Sequence, residues 1–140
     1  MAALESKYLR VIDANYNRAK EALRVCEDIC RFLMDDPVLT RRFKQCRHAL
    51  TKAILEFPVP YRKLVRSRNL SEDVGRRGSI HDLKKRPGWR DVMAANLKRG
   101  QEASRVLEEF AKIIAPKQSY HFQKVRFRIY ELEKSCFRKF

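Results

Sequence analysis

Residues 15–28, NYNRAKEALRVCED, and residues 96–109, NLKRGQEASRVLEE, are two versions of one segment. Asn15, Arg18, Glu21, Ala22, Arg24, Val25 and Glu27 recur as Asn96, Arg99, Glu102, Ala103, Arg105, Val106 and Glu108, each 81 positions further on. Asp28 and Glu109 agree in charge. The likeness continues at an offset of 79, pairing Pro37 with Pro116, Phe43 with Phe122, Arg47 with Arg126 and Leu50 with Ile129. Such a repeat confines the fold, because each copy is a supersecondary unit with an apolar face that only the other copy can bury.

The spacing predicts what that unit is. Ala14, Ala19, Ala22, Val25, Cys26, Ile29, Phe32 and Leu33 recur at helical intervals. Asp36-Pro37 is a capping residue followed by a first-turn proline, and Ala115-Pro116 marks a similar break. Helices are expected at about 5–34, 37–56, 90–114 and 117–138, with a short alternation at Tyr8–Ile12 as the one strand candidate. The expected fold is all-α: two helical hairpins, at about 5–56 and 90–138, packed about a pseudo-twofold axis as a four-helix bundle. The connector, 57–89, gathers Pro58, Pro60, Gly75, Gly78, Pro87 and Gly88 and reads as mostly irregular.

A chain of 140 residues, 44% apolar, buries a core as one domain, so it is not a disordered polycation despite a net charge of +15. Its apolar runs are too short to cross a membrane. Glu5, Lys7, Arg10, Asp13 and Arg18 leave no apolar leader in residues 1–20, and a cytoplasmic location is expected. Cys26, Cys30, Cys46 and Cys136 lack CxxC spacing, and His48, His81 and His121 are scattered. The thiols are therefore expected in the core rather than on zinc.

Repeated leucines would need only a shared core, whereas repeated Asn, Arg and Glu need another reason. Asn15, Arg18 and Glu21, like Asn96, Arg99 and Glu102, form a slowly rotating stripe that projects into one region. The two stripes either face each other across the pseudo-axis or line separate clefts. The structural alternative is a set of ion pairs that fix helix register. Segment 13–31 has net charge zero and segment 94–112 has +1, while the connector segment 57–90 has +7 and residues 113–140 have +5. In the connector, Ser67, Ser71 and Ser79 offer hydroxyls, Gly75 and Gly78 allow close approach, and Arg68, Arg76 and Arg77 offer charge to an anion. Neither a Walker A loop nor a GxGxxG motif is present.

VIDANYNRAKEALRVCEDICRFLMDD, KQCRHAL, RNLSEDVG and DVMAANLKRGQEASRVLEEFAK resemble the small all-helical hydroxymethylpyrimidine phosphate kinases of thiamine biosynthesis. These are unrelated to the ribokinase type and also occur fused ahead of thiamine phosphate synthase. The resemblance runs from about Tyr8 to Lys112. It implies transfer of the ATP γ-phosphoryl group to 4-amino-5-hydroxymethyl-2-methylpyrimidine phosphate, with Mg²⁺ as cofactor. Where a commoner family pattern reads RDT-x-GDVG, Asn69 replaces an acid, so no base role is carried to that position.

Phosphoryl transfer between two polyanions needs cations to screen charge and carboxylates to hold magnesium and orient the acceptor oxygen. Arg18, Arg24, Arg99 and Arg105 are expected on phosphates, with Arg47, Arg68 and Gly75 as further binding candidates and Asn15 and Asn96 on pyrimidine or phosphate edges. Glu21, Glu102 and Asp73 are the catalytic candidates, and Glu27 and Glu108 the magnesium candidates, directly or through water. Several of these Arg and Glu residues would alternatively pair with each other and set the geometry. The expected partners are ATP and the pyrimidine phosphate, with no membrane and no nucleic acid. Surplus apolar residues near the C-terminus (Phe127, Ile129, Tyr130, Phe137 and Phe140) are compatible with a homo-oligomer. The competing reading is a basic helical nucleic-acid-binding or regulatory module without catalysis, which the pI near 10.1 favours and the charge-balanced repeats oppose.

Overall fold

Buried residues Leu9, Ile12, Tyr16, Ala19, Leu23, Cys26 and Cys30 recur three and four apart, and that spacing makes the first helix. The computed structural model describes residues 2–76 and 83–140. In it α1 runs over Ala2–Asp28 and passes into a π-helical turn at Ile29–Leu33. The Met34 amide reaches back to the Ile29 carbonyl at 3.0 Å, and both Ile29 and Cys30 stay buried in this wider turn. Tyr8–Ile12 lies inside α1, so the expectation of a strand there is corrected. Its short alternation belongs to a much longer helical period.

The chain turns at Asp35, whose φ of 49° is left-handed. It then starts α2 (Pro37–Leu55) with Pro37 at the first position and the Asp36 carboxylate accepting from the Leu39 amide at 2.9 Å. After α2 the connector is not wholly irregular. Phe57 and Val59 are buried, and Tyr61–Arg66 forms a short helix, α3, that docks on α1 through Leu64. Helix α4 spans Trp89–Ile114; a 3-10 turn at Pro116–Gln118 leads into α5 (Ser119–Phe137). All four long helices are within a few residues of their expected positions, and no strand occurs among the described residues.

The most extensive contact joins α1 to α4. Their directions are opposed: Tyr8 stacks near Phe110 with centroids 6.2 Å apart, and Ala22 lies near Gly100. A Cβ at Gly100 would sit 3.9 Å from the Ala22 Cβ and 3.3 Å from the Ile129 tip. That closeness sets the separation of the central pair. Helices α2 and α5 flank it and close against each other, with Phe57 near Phe122 and Arg42 donating to Ser135 at 2.9 Å. All four cysteines are buried free thiols, and burial pushes Cys46 up to about 12.

Asp36 also takes Lys139 as an ion-pair partner, which ties the C-terminal end to the start of α2. The Leu39 amide and Lys139 hold its carboxyl below the usual carboxylate range. A depressed folded pKa contributes stability above the unfolded value of about 4, and that contribution disappears as pH falls through the folded value. Asp36→Ala should therefore cost about 1 kcal/mol at pH 7. In urea unfolding the difference from the parent chain should shrink steadily below about pH 4.

Candidate functional site

Three residues advance an α-helix by about 300°, so Asn15, Arg18, Glu21 and Arg24 step round α1 by about 60° each. Asn15 is buried, whereas Arg18, Glu21 and Arg24 cross the open face. On α4, Asn96 is half-buried, and Arg99, Glu102 and Arg105 are exposed. The opposed register fixed by Tyr8 with Phe110 and Ala22 with Gly100 sets Arg18 level with Glu102, and Glu21 level with Arg99. The two stripes thus stand at the same level along the central helix pair.

The asparagines do the same thing twice. Asn15 Nδ2 donates to the Val11 carbonyl and Asn96 Nδ2 to the Val92 carbonyl, both at 2.9 Å. That leaves the amide oxygens to face neighbouring groups, and Arg18 Nη1 reaches Asn15 Oδ1 at 3.5 Å. Among the described residues, Arg99, Glu21 and Glu102 form no ion pair. Two exposed arginines and two exposed carboxylates so placed can bind anionic oxygens and accept protons or a cation.

Flanking this centre are two carboxylates with a different role. Glu27, buried between α1 and α2, accepts from Arg47 Nε at 3.0 Å and Arg47 Nη2 at 3.4 Å, with Arg24 Nη1 3.5 Å away. Glu108, buried between α4 and α5, accepts from Arg126 Nε at 3.0 Å, with Arg105 Nη1 at 3.6 Å. Each carboxylate serves one inner and one outer guanidinium. Hydrogen bonds to Glu108 first, and to Tyr130 next, hold Arg126 above the ordinary arginine value. A magnesium ion at Glu27 or Glu108 would compete with two cations for the same oxygens, so both fit a positioning role better than direct ligation.

The connector contributes differently from the expectation of a free phosphate loop. Arg68 grips the buried Asp13 carboxylate with Nε at 2.6 Å and Nη2 at 3.0 Å, and this hydrogen-bonded pair holds its guanidinium still more firmly protonated. Tyr61 adds an edge-on contact to Tyr16 at 6.0 Å. Asp73 and Gly75 are exposed and close a turn, the Gly75 amide donating to Asp73 Oδ1 at 2.9 Å. Arg77, Gly78, Ser79 and His81 lie outside the described residues. Two of the larger clefts are elsewhere: about 440 Å³ between Arg42, Cys46, Arg128 and Glu131, and about 590 Å³ beside Asp35 and Thr40.

Sequence reasoning overlooked Asp13, whose acid is absent from the matched position Ala94, and it left Arg126 off the site although Arg126 matches Arg47. The second omission was avoidable, since the repeat itself carried the signal.

Residues 10–135 match the ThiD2 family. Thiamine-phosphate synthase of Synechocystis sp. (strain PCC 6803) is 37% identical over 124 residues, covering 89% of this chain and 34% of that protein. The protein of the same name from Synechococcus sp. (strain CC9605) is 36% identical over 135 residues, 96% of this chain and 36% of that protein. The one from Rhodopirellula baltica is 35% identical over 122 residues, 87% and 32% respectively. The chain spans about a third of the length of these relatives. No solved structure matches it significantly. The chain belongs to the ThiD2 family.

Breaking one of the buried pairs tests its positioning role. Arg47→Met strands the Glu27 carboxylate and should lower the free energy of unfolding by about 3 kcal/mol. Combining it with Glu27→Met should restore most of that loss in urea titrations, since two apolar side chains of similar length replace the pair.

Proposed function

We propose that this ThiD2-family chain is a phosphotransferase of thiamine biosynthesis that moves the ATP γ-phosphoryl group onto hydroxymethylpyrimidine phosphate. Family membership supports a place in thiamine biosynthesis, because its relatives are thiamine-phosphate synthases that contain a segment like this chain. The observation that carries the kinase reading is the doubled stripe, with Arg18 and Glu21 level with Glu102 and Arg99 on an open face.

Both reactants are polyanions, and their approach is repulsive unless cations lie between them. Arg18 and Arg99 supply charge at the centre, with Arg24 and Arg105 further out, aimed by Glu27 and Glu108. Arg47 and Arg68 act by holding Glu27 and Asp13, and Asn15 and Asn96 present amide oxygens to the pyrimidine amino group or to the arginines. Glu21 and Glu102 are the carboxylates with room for Mg²⁺, and Asp73 and Gly75 are further candidates from the connector. When bound, magnesium neutralises phosphate charge. The acceptor is the phosphate of the pyrimidine substrate, largely ionised near neutral pH. One of its oxygens attacks the γ-phosphorus as the bond to the bridging oxygen breaks and ADP leaves, and the remaining carboxylate takes up any proton that phosphate still carries. The nucleic-acid reading keeps only the net charge in its favour, and charge alone identifies no partner.

The test is ADP release from MgATP with hydroxymethylpyrimidine phosphate, and separately with the unphosphorylated alcohol. Turnover with the monophosphate, abolished by EDTA, is expected; none with either substrate, in folded protein, overturns the reading. Arg18→Ala and Arg99→Ala should each lower kcat/KM by about 30- to 1000-fold. Near-normal turnover in both would remove the central arginines from the mechanism.

A further inference from the structure

The two hairpins keep the same cations and carboxylate but differ in what lies beside them. On α5, Phe127 and Tyr130 are 49% and 41% exposed, with ring centroids 6.2 Å apart. Their neighbour Arg126 places its guanidinium carbon 4.9 Å from the Phe127 centroid and 5.8 Å from that of Tyr130, and donates to the Tyr130 hydroxyl at 3.5 Å. The same Arg126 holds Glu108, which holds Arg105. At the matched positions of α2, after Arg47, stand His48 and Thr51. Thr51 turns inward, its hydroxyl donating to the Arg47 carbonyl at 3.2 Å and lying 3.4 Å from the Tyr16 hydroxyl.

The core does not account for this aromatic pair. Of the surplus apolar residues near the C-terminus, Ile129 is buried, Phe140 packs edge-on against Trp89 at 5.5 Å and the half-exposed Phe137 packs on Phe140 at 5.1 Å, whereas Phe127 and Tyr130 keep much of their surface open beside Arg126. Two exposed rings beside the Arg126 guanidinium offer a flat heterocycle a stacking surface and offer its phosphates a cationic flank. The half with His48 and Thr51 offers hydrogen bonds and no such surface.

Building on the phosphotransferase reading, we propose that Phe127 and Tyr130 are the platform on which the purine ring of the nucleotide stacks. The α4–α5 hairpin then takes ATP, its phosphates beside Arg126 and Arg105, and the α1–α2 hairpin takes the smaller pyrimidine phosphate. A bicyclic purine has more face to stack against an exposed ring than a single substituted pyrimidine, which gains more from polar edges such as His48.

The test separates base from phosphate. Binding of MgATP in the absence of acceptor, and of inorganic tripolyphosphate, is measured by calorimetry for the parent chain, Phe127→Ala, Tyr130→Ala and Tyr130→Phe. Each alanine variant should weaken ATP by about tenfold while tripolyphosphate changes less than about twofold, and Tyr130→Phe should keep most of the ATP affinity. Tyr120→Ala, on the same helix and more exposed, should change neither. In turnover, the alanine variants should raise KM for ATP and leave KM for the pyrimidine phosphate unchanged. Unchanged ATP affinity in both alanine variants, equal weakening of ATP and tripolyphosphate, or a shift confined to the pyrimidine KM would each overturn the assignment. ATP binding with the expected variant pattern but no transfer ends the kinase reading and leaves the platform standing. Transfer with ATP affinity indifferent to these rings does the reverse.

Discussion

Two buried carboxylates, Glu27 and Glu108, govern how this molecule is put together. Each sits between the two helices of one hairpin and accepts from an arginine on the second helix, Arg47 or Arg126, at 3.0 Å. Burial of an ion pair brings little net stability, because desolvation cancels most of the attraction. Its effect is on alternatives: a one-residue slip of α2 along α1 would leave a carboxylate and a guanidinium both buried and unpaired. Apolar contacts between helices tolerate such slips far better. The pair therefore selects one register, and the outer arginines Arg24 and Arg105 inherit their position from the same carboxylate oxygens.

The central helix pair is held by a different device. At Gly100 and Ala22 the α1 and α4 backbones come close because neither side chain extends beyond a methyl group. Proximity has a consequence for the polar stripes, since residues on the open face of one helix are carried next to those of the other. Arg18 and Glu21 are exposed at the level of Glu102 and Arg99.

Much of this was written in the sequence, for identifiable reasons. The four long helices follow from apolar spacing sustained over five or more turns, with Asp36-Pro37 and Ala115-Pro116 as breaks. The pairs within the repeat were foreshadowed by the retention of charge at positions that must match across two helices, Glu27 with Arg47 and Glu108 with Arg126. What escaped was carried by single contacts over long separations. Helix α3 is one turn and a half, too short for periodicity to reveal, and it is held by Asp13 with Arg68, a pair 55 residues apart with no counterpart in the second half. The π-helical turn at Ile29–Leu33 adds one residue to a helical period, which composition cannot show. The exposure of Phe127 and Tyr130 was equally hidden, because their neighbours Ile129 and Leu132 on the same helix are core.

Charge is distributed in two layers with different physical roles. The connector segment 57–90, at +7, and residues 113–140, at +5, carry the excess, while the stripes on α1 and α4 are balanced between arginine and carboxylate. An unbalanced surface acts at a distance, drawing polyanions toward the protein from any direction and fading as salt shortens the Debye length. A balanced one acts at contact, where the sign of each neighbour decides the orientation of a phosphate to within a bond length. A polyanion would thus be gathered by the basic layer without being oriented by it. That division accounts for a chain whose net charge is high while its most constrained polar residues are nearly neutral in sum. It also explains why the excess charge, read alone, points toward nucleic acid, while the repeated residues point toward a small phosphorylated ligand.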